Sequence, residues 1–274
     1  MALTITPIPA FNDNYIWALH QADGQTVVVD PGDAEPVKAW LSANGATLAG
    51  ILITHHHPDH TGGLDALLAM TSPVPVYGPA GGHIRQINHT VKEGDQLSIL
   101  DHDFEVLETP GHTLDHIVYF HPGASDTSAP DDGDTADLSN PPWLFCGDTL
   151  FAGGCGRIFE GNPAMMYGSL QKLASLPAAT QVYCAHEYTL ANLAFAASAD
   201  PDNGDLKQRQ VDERNKRDKQ HPTLPSTICL EQRTNPFLRC HSPSLQATVE
   251  QQVSHKLTSG LELFTALRRL KDQA

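Results

Sequence analysis

Through the first two thirds of the chain, short apolar runs alternate with turns bearing glycine or proline. Thr26-Val27-Val28-Val29, Leu48-Ala49-Gly50-Ile51-Leu52-Ile53, Val74 to Gly78, Phe104 to Glu108, Ile117 to Phe120, Leu144 to Gly147 and Val182 to Cys184 each predict a strand. Helical periodicity intervenes at Glu35–Asn44, Leu64–Met70 and Ala164–Ser175. Strands interleaved with helices indicate an α/β arrangement. From Glu187 onward the pattern is mostly helical. Ala191–Ala199 is apolar, and Lys207–Lys219 is so rich in charge that a solvated helix is expected. Ser259–Lys271 places Leu263, Leu267 and Leu270 on one face, which predicts docking onto the first domain. No internal repeat is visible.

Composition sharpens the division. The 274 residues carry a net charge of −15. Residues 1–187 hold 5 basic and 22 acidic groups, a net of −17, whereas residues 188–274 hold 12 and 10, a net of +2. Two parts are therefore expected, 1–187 and 188–274. An acidic first part suits cations, and basic groups in the second suit an anionic substrate; an ordinary solvated helical surface explains the latter equally well. The overall acidity argues against nucleic acid as a partner. No apolar run is long enough to span a bilayer, and the N-terminus lacks a basic patch followed by an apolar core, so neither membrane nor leader is expected. Five scattered cysteines without a CxxC motif predict reduced thiols in a cytoplasm. Residues 123–142, with five aspartates and no lysine or arginine, read as a mobile acidic insertion.

The densest chemistry lies in Thr54-His55-His56-His57-Pro58-Asp59-His60-Thr61-Gly62-Gly63. Side chains two apart near a strand end point the same way, which pairs His55 with His57. Pro58 keeps His57 extended. A surface turn that merely scavenges metal is the plainer alternative, but four imidazole and carboxylate ligands anchored to an apolar strand indicate a metal site. Three later segments add ligand types at strand ends: Thr109-Pro110-Gly111-His112, Cys146-Gly147-Asp148-Thr149 and Cys184-Ala185-His186-Glu187.

This ordered set resembles the metallo-β-lactamase superfamily, which implies a four-layer αββα sandwich, here followed by a C-terminal α-helical domain. Within it, Gly147-Asp148-Thr149-Leu150-Phe151, Gly154 to Gly161, Ala185-His186-Glu187-Tyr188-Thr189, Thr234-Asn235-Pro236-Phe237-Leu238-Arg239 and the closing Leu267 to Asp272 resemble the hydroxyacylglutathione hydrolase (glyoxalase II) family over essentially the whole chain. The resemblance implies that His55, His57 and His112 hold one divalent metal, that Asp59, His60 and His186 hold a second, and that Asp148 bridges them. Zinc, iron and manganese all accept such ligands, with zinc placed first. His56 is assigned a structural role, and the other histidines are expected at the surface or behind the ligands. Arg157, Phe159, Tyr188, Arg268 and Lys271 are implied to bind the glutathione moiety, with Phe159 standing where some members have tyrosine. Cys155 is read as packing, and Arg269 as solvated.

The implied reaction is hydrolysis of S-D-lactoylglutathione and related 2-hydroxyacyl thioesters, the second step of methylglyoxal detoxification. A metal-bridging hydroxide attacks the thioester carbonyl, and a monomer is expected. Two other readings compete. A glutathione persulfide dioxygenase with one iron would not need seven ligands or the helical extension. A non-catalytic metal-binding scaffold would be expected to have lost a ligand, and none is missing.

Overall fold

The computed structural model describes residues 3–123 and 141–274, so most of the acidic segment 123–142 lies outside the described residues. The chain forms two compact units. One comprises Met1–Glu108 with Asp115–Gly147, the other Thr109–Leu114 with Asp148–Ala274.

The first unit opens with β1 (Thr4–Ala10), β2 (Asn14–His20) and β3 (Gln25–Val29), followed by α1 (Ala34–Asn44) and β4 (Thr47–Leu52). Then come α2 (Pro58–Thr61), α3 (Leu64–Leu68), β5 (Val76–Pro79) and β6 (His89–Val91). The six strands form one sheet in sequence order. β1 to β3 pair antiparallel, and β3 to β6 pair parallel. Strands β7 (Gln96–Ile99), β8 (His102–Glu108), β9 (Ile117–His121) and β10 (Trp143–Gly147) form an antiparallel meander. The β1–β2 pair is absent from the expected strands, because prolines interrupt the alternation of β1.

Sequence explains these elements. β9 and β10 are buried along their whole length, as their unbroken apolar runs require of strands covered on both faces. α1 begins where the Asp33 carboxylate accepts the Glu35 N–H and ends at Gly45 in the left-handed region. Val37 and Leu41 of α1 and Leu64 and Leu67 of α3 pack with Ile16, Val28, Ile51 and Val76 on one face of the first sheet. The Tyr119 hydroxyl of β9 donates to the Ile53 carbonyl just beyond β4 (2.9 Å), so the meander approaches the end of the strand that leads into the His-rich turn.

The second unit holds β11 (Leu150–Phe151), β12 (Gly154–Cys155), α4 (Pro163–Ala174), β13 (Gln181–Cys184), α5 (Thr189–Ala199) and α6 (Gly204–Asp218). It continues with β14 (Ser226–Thr227), α7 (Ile228–Thr234), α8 (Pro243–Val253) and α9 (Gly260–Asp272). Every helix predicted from periodicity is present within a few residues. α9 buries Leu263, Phe264 and Leu267 and packs on α4 and α8, while Leu270 stays half-buried. Burial of each such side chain contributes about 1.5–3 kcal/mol. The expectation of a wholly solvated α6 is corrected: Leu206, Arg209 and Glu213 are buried along one face. Arg209 is tolerated there because its guanidinium bonds Glu231, Ser226 and Thr234.

Candidate metal centre and adjoining pocket

In the first unit the chain leaves β3 at Asp30, which takes a positive φ of 53° and is buried. Its carboxylate accepts the Thr54 N–H at Oδ1 and the Thr54 hydroxyl at Oδ2, both at 2.8 Å. Having donated that proton, Thr54 Oγ1 accepts from His55 Nδ1 at 3.0 Å. Asp30 Oδ2 also lies 3.0 Å from His60 Nδ1. The Thr54 bond places the proton of the His55 imidazole on Nδ1 and leaves its Nε2 lone pair for a ligand, the arrangement that metal-binding imidazoles require.

The rings of His55 and His60 are 4.1 Å apart, and those of His55 and His57 are 4.7 Å apart. His57 is extended before Pro58 and caps the single turn of α2, which presents Asp59 and His60. His60 Nε2 lies 3.6 Å from Asp59 Oδ2, which also accepts from Asn14 Nδ2 at 3.2 Å. Gly32 makes room for this turn, since a Cβ there would sit 1.8 Å from the Asp59 carbonyl oxygen. His56 faces away as expected, with Nδ1 at 2.9 Å and 3.0 Å from the two Asp115 carboxylate oxygens.

In the second unit His112 and His186 flank one carboxylate. His112 Nε2 lies 3.4 Å from Asp148 Oδ2, and His186 Nε2 lies 3.4 Å from Asp148 Oδ1. His112 Nδ1 donates to the Arg157 carbonyl at 2.8 Å, so its Nε2 likewise carries the lone pair. His186 is stacked on Tyr188 at 4.6 Å, with the Phe151 ring at its edge.

The separations test whether cations fit. A hydrogen bond of this type peaks near 2.7–2.9 Å. Two ligands each about 2.0–2.1 Å from a tetrahedral ion are instead about 3.4 Å apart. The 3.4 Å and 3.6 Å separations match the second pattern. Donor chemistry agrees: within the first unit stand three imidazoles and a carboxylate, within the second two imidazoles and a carboxylate able to serve two ions.

In the second unit a pocket of about 360 Å³ is lined by Phe151, Cys155, Arg157, Tyr188, Arg268, Lys271 and neighbours. Four of the five expected glutathione contacts are thus brought together. The fifth, Phe159, is 61% exposed, lies edge-on to His112 and has the Arg157 guanidinium 5.8 Å from its ring centre. Arg268 is buried. Its Nη1 donates to the Cys155 carbonyl at 3.0 Å, and Nη2 pairs with Asp272 at 2.9 Å. Lys271 stands over the Phe195 ring; partial burial, then the Arg268 charge, holds its ammonium below the usual lysine range. Burial pushes the Cys155 thiol up, in keeping with a packing role. Arg269 is exposed.

Sequence reasoning passed over Asp30 and Thr54, which orient the His55 imidazole, and Asp272, which pairs with Arg268. A signal for Asp30 was available: an apolar strand ending in aspartate, as in the run that ends at Asp148.

The family model described as the hydroxyacylglutathione hydrolase C-terminus matches residues 187–274, and that of the metallo-β-lactamase superfamily matches residues 12–127. A hydroxyacylglutathione hydrolase of Hahella chejuensis is 47% identical over 98% of this chain and 98% of its own. The chain belongs to the hydroxyacylglutathione hydrolase family. A second member of this hydroxyacylglutathione hydrolase family, from Pseudomonas aeruginosa, is 46% identical over 99% of both chains. Among solved structures, ETHE1 from Myxococcus xanthus is similar with a TM-score of 0.60 and 25% identity, over 99% of this chain and 98% of that one. The BLEG-1 B3 metallo-β-lactamase has a TM-score of 0.59 and 24% identity, over 86% of this chain and 99% of its own. The hydroxyacylglutathione hydrolase family member therefore has the metallo-β-lactamase fold with a C-terminal helical region, as expected from sequence. Among the described residues, no helix is long and apolar enough to cross a membrane.

Proposed function

We propose that this chain hydrolyses S-D-lactoylglutathione and related 2-hydroxyacylglutathiones to a 2-hydroxy acid and glutathione, in the cytoplasm and as a monomer, as a step in methylglyoxal degradation. The observation that carries the reading is near-full-length identity of 46–47% to hydroxyacylglutathione hydrolases, joined to seven donors of metal-ligand type. This favours hydrolysis over the persulfide dioxygenase, and retention of all seven donors disfavours the scaffold.

His55, His57 and His112 would hold one divalent ion and Asp59, His60 and His186 a second, with Asp148 shared; zinc is the first choice, iron or manganese the alternatives. Such ions, when bound, lower the pKa of a coordinated water toward neutrality and polarise a carbonyl. The protein's own part is to fix the donors. Asp30, through Thr54, holds His55 in one tautomer, and the Arg157 carbonyl does the same for His112. The residues 188–274 would serve as a substrate-binding domain appended to a catalytic 1–187 region. Arg157, Arg268 and Lys271 supply positive charge for the carboxylates of glutathione, and Tyr188 an aromatic wall. The leaving glutathione thiolate has a conjugate acid of pKa about 8.5 and departs without a general acid.

The test is a thioester assay with metal content measured on the same samples. Turnover of S-D-lactoylglutathione with two ions per chain is expected. Full activity with one ion per chain would overturn the shared-carboxylate reading, and oxygen uptake with glutathione persulfide would favour the dioxygenase.

A further inference from the structure

The turn between Asp148 and Arg157 is a two-stranded hairpin, β11 and β12, whose backbone is gripped by buried polar side chains of the helical segment. The Gly153 N–H donates to Glu231 Oε2 at 2.8 Å. Asn235 Nδ2 donates to the Gly154 carbonyl at 2.8 Å, to the Phe151 carbonyl at 3.2 Å and to Glu231 Oε2 at 3.0 Å. Glu231 is fully buried and held in turn by Arg209, whose Nη2 lies 2.6 Å from Oε1, and by the Ser226 hydroxyl. Arg209 Nη1 also donates to Thr234 Oγ1 at 2.6 Å.

The opposite end of the same hairpin touches the donors. β11 begins two residues after Asp148, the Gly156 N–H donates to the Thr149 carbonyl at 3.2 Å, and the Arg157 carbonyl receives His112 Nδ1. A buried ion pair is a weak source of stability, because desolvation offsets most of the attraction and apolar replacements of equal volume often do as well. What such a pair supplies here is geometry: fixed acceptors and donors at both sides of one turn.

We propose that Glu231, held by Arg209 and acting with Asn235, is a positioning residue for the metal donors Asp148 and His112, working through the β11–β12 hairpin. The proposal rests on reading those two residues as ligands. Groups that orient ligands from behind change metal affinity about 10–100-fold when altered, and these residues act through one further layer of backbone.

The experiment compares wild type, Glu231→Gln, Asn235→Ala and, as a control, Val37→Ala, a buried α1 position in the first unit. Metal-free protein is titrated with Zn²⁺ against a chromophoric chelator, and amide exchange is followed in the same metal-free samples. Both variants are expected to bind zinc about tenfold less tightly and to exchange the Gly153 and Gly156 amides faster, with α1 unchanged. The control is expected to lose thermal stability while keeping zinc affinity within about twofold. Should Glu231→Gln not fold, Asn235→Ala carries the comparison. Zinc affinity within twofold of wild type in the variants that fold would overturn the proposal, as would an equal loss in Val37→Ala. Wild type that binds no zinc would instead overturn the ligand reading itself.

Discussion

Thr54→Val isolates the relay behind His55. Valine keeps the volume of threonine, so the perturbation is the loss of one hydroxyl that donates to Asp30 at 2.8 Å and accepts from His55 at 3.0 Å. All three residues are buried. A buried polar group deprived of a partner costs about 1–3 kcal/mol. Two groups lose a partner, and Asp30 keeps its bond to the Thr54 N–H, so the expected total is about 2–3 kcal/mol of unfolding free energy. The second effect is on the metal. Without its acceptor His55 is no longer held in the Nδ1–H tautomer, and affinity for the ion it contacts should fall about 10–100-fold. Urea unfolding of metal-free protein reads the first quantity, and chelator competition the second. Thr54→Ser restores the hydroxyl and should recover both. A Thr54→Val protein with wild-type zinc affinity would refute the relay, whatever its stability.

Four further outcomes are expected. Asp148→Ala should abolish thioester turnover and lower the metal content of purified protein; an active variant contradicts a shared carboxylate. Arg268→Ala combined with Lys271→Ala should mainly raise KM for glutathione thioesters, measured by initial rates. Because burial lowers the Lys271 pKa, wild-type KM should also rise with increasing pH earlier than an exposed lysine would dictate, and a Lys271→Ala enzyme should lose that rise. Glu250 accepts from Lys256, Gln246 and the Leu257 N–H, which holds its carboxyl at about 2. Its folded value lies below the unfolded one of about 4.3, so its stabilisation is complete above that value and disappears as pH falls toward 2. The Tm gap between wild type and Glu250→Gln should therefore be present at pH 7 and close between about pH 5 and pH 2.

Much of the architecture was legible because its strands are nearly unbroken apolar runs. β4, β9, β10 and β13 need only length and an unbroken apolar, β-branched or aromatic composition to be read, and each of β4, β10 and β13 points at a ligand-type residue just past its end. The helices followed from leucine spacing. What could not be read was pairing at a distance. Nothing local in Arg209 or Glu231 separates a buried pair from the solvated charges around them on α6 and α7; only the fold makes them partners. The same holds for Arg268, whose basic character suggested a ligand contact but not its bond to the Cys155 carbonyl. β1 was missed because Pro7 and Pro9 mask the alternation of an edge strand.

The segment 109–114 belongs to the same compact unit as the C-terminal helices. Gly111 lies so close to α4 that a Cβ would come within 2.8 Å of Met166, and the Pro110 carbonyl receives the Ser169 hydroxyl. α4 in turn carries α9. Shortening the chain at residue 187 would thus strip the cover from the helix on which the His112 turn is seated. The helical extension is not a detachable accessory, and truncated or domain-exchanged proteins should keep residues 109–114 and 148–274 from a single parent.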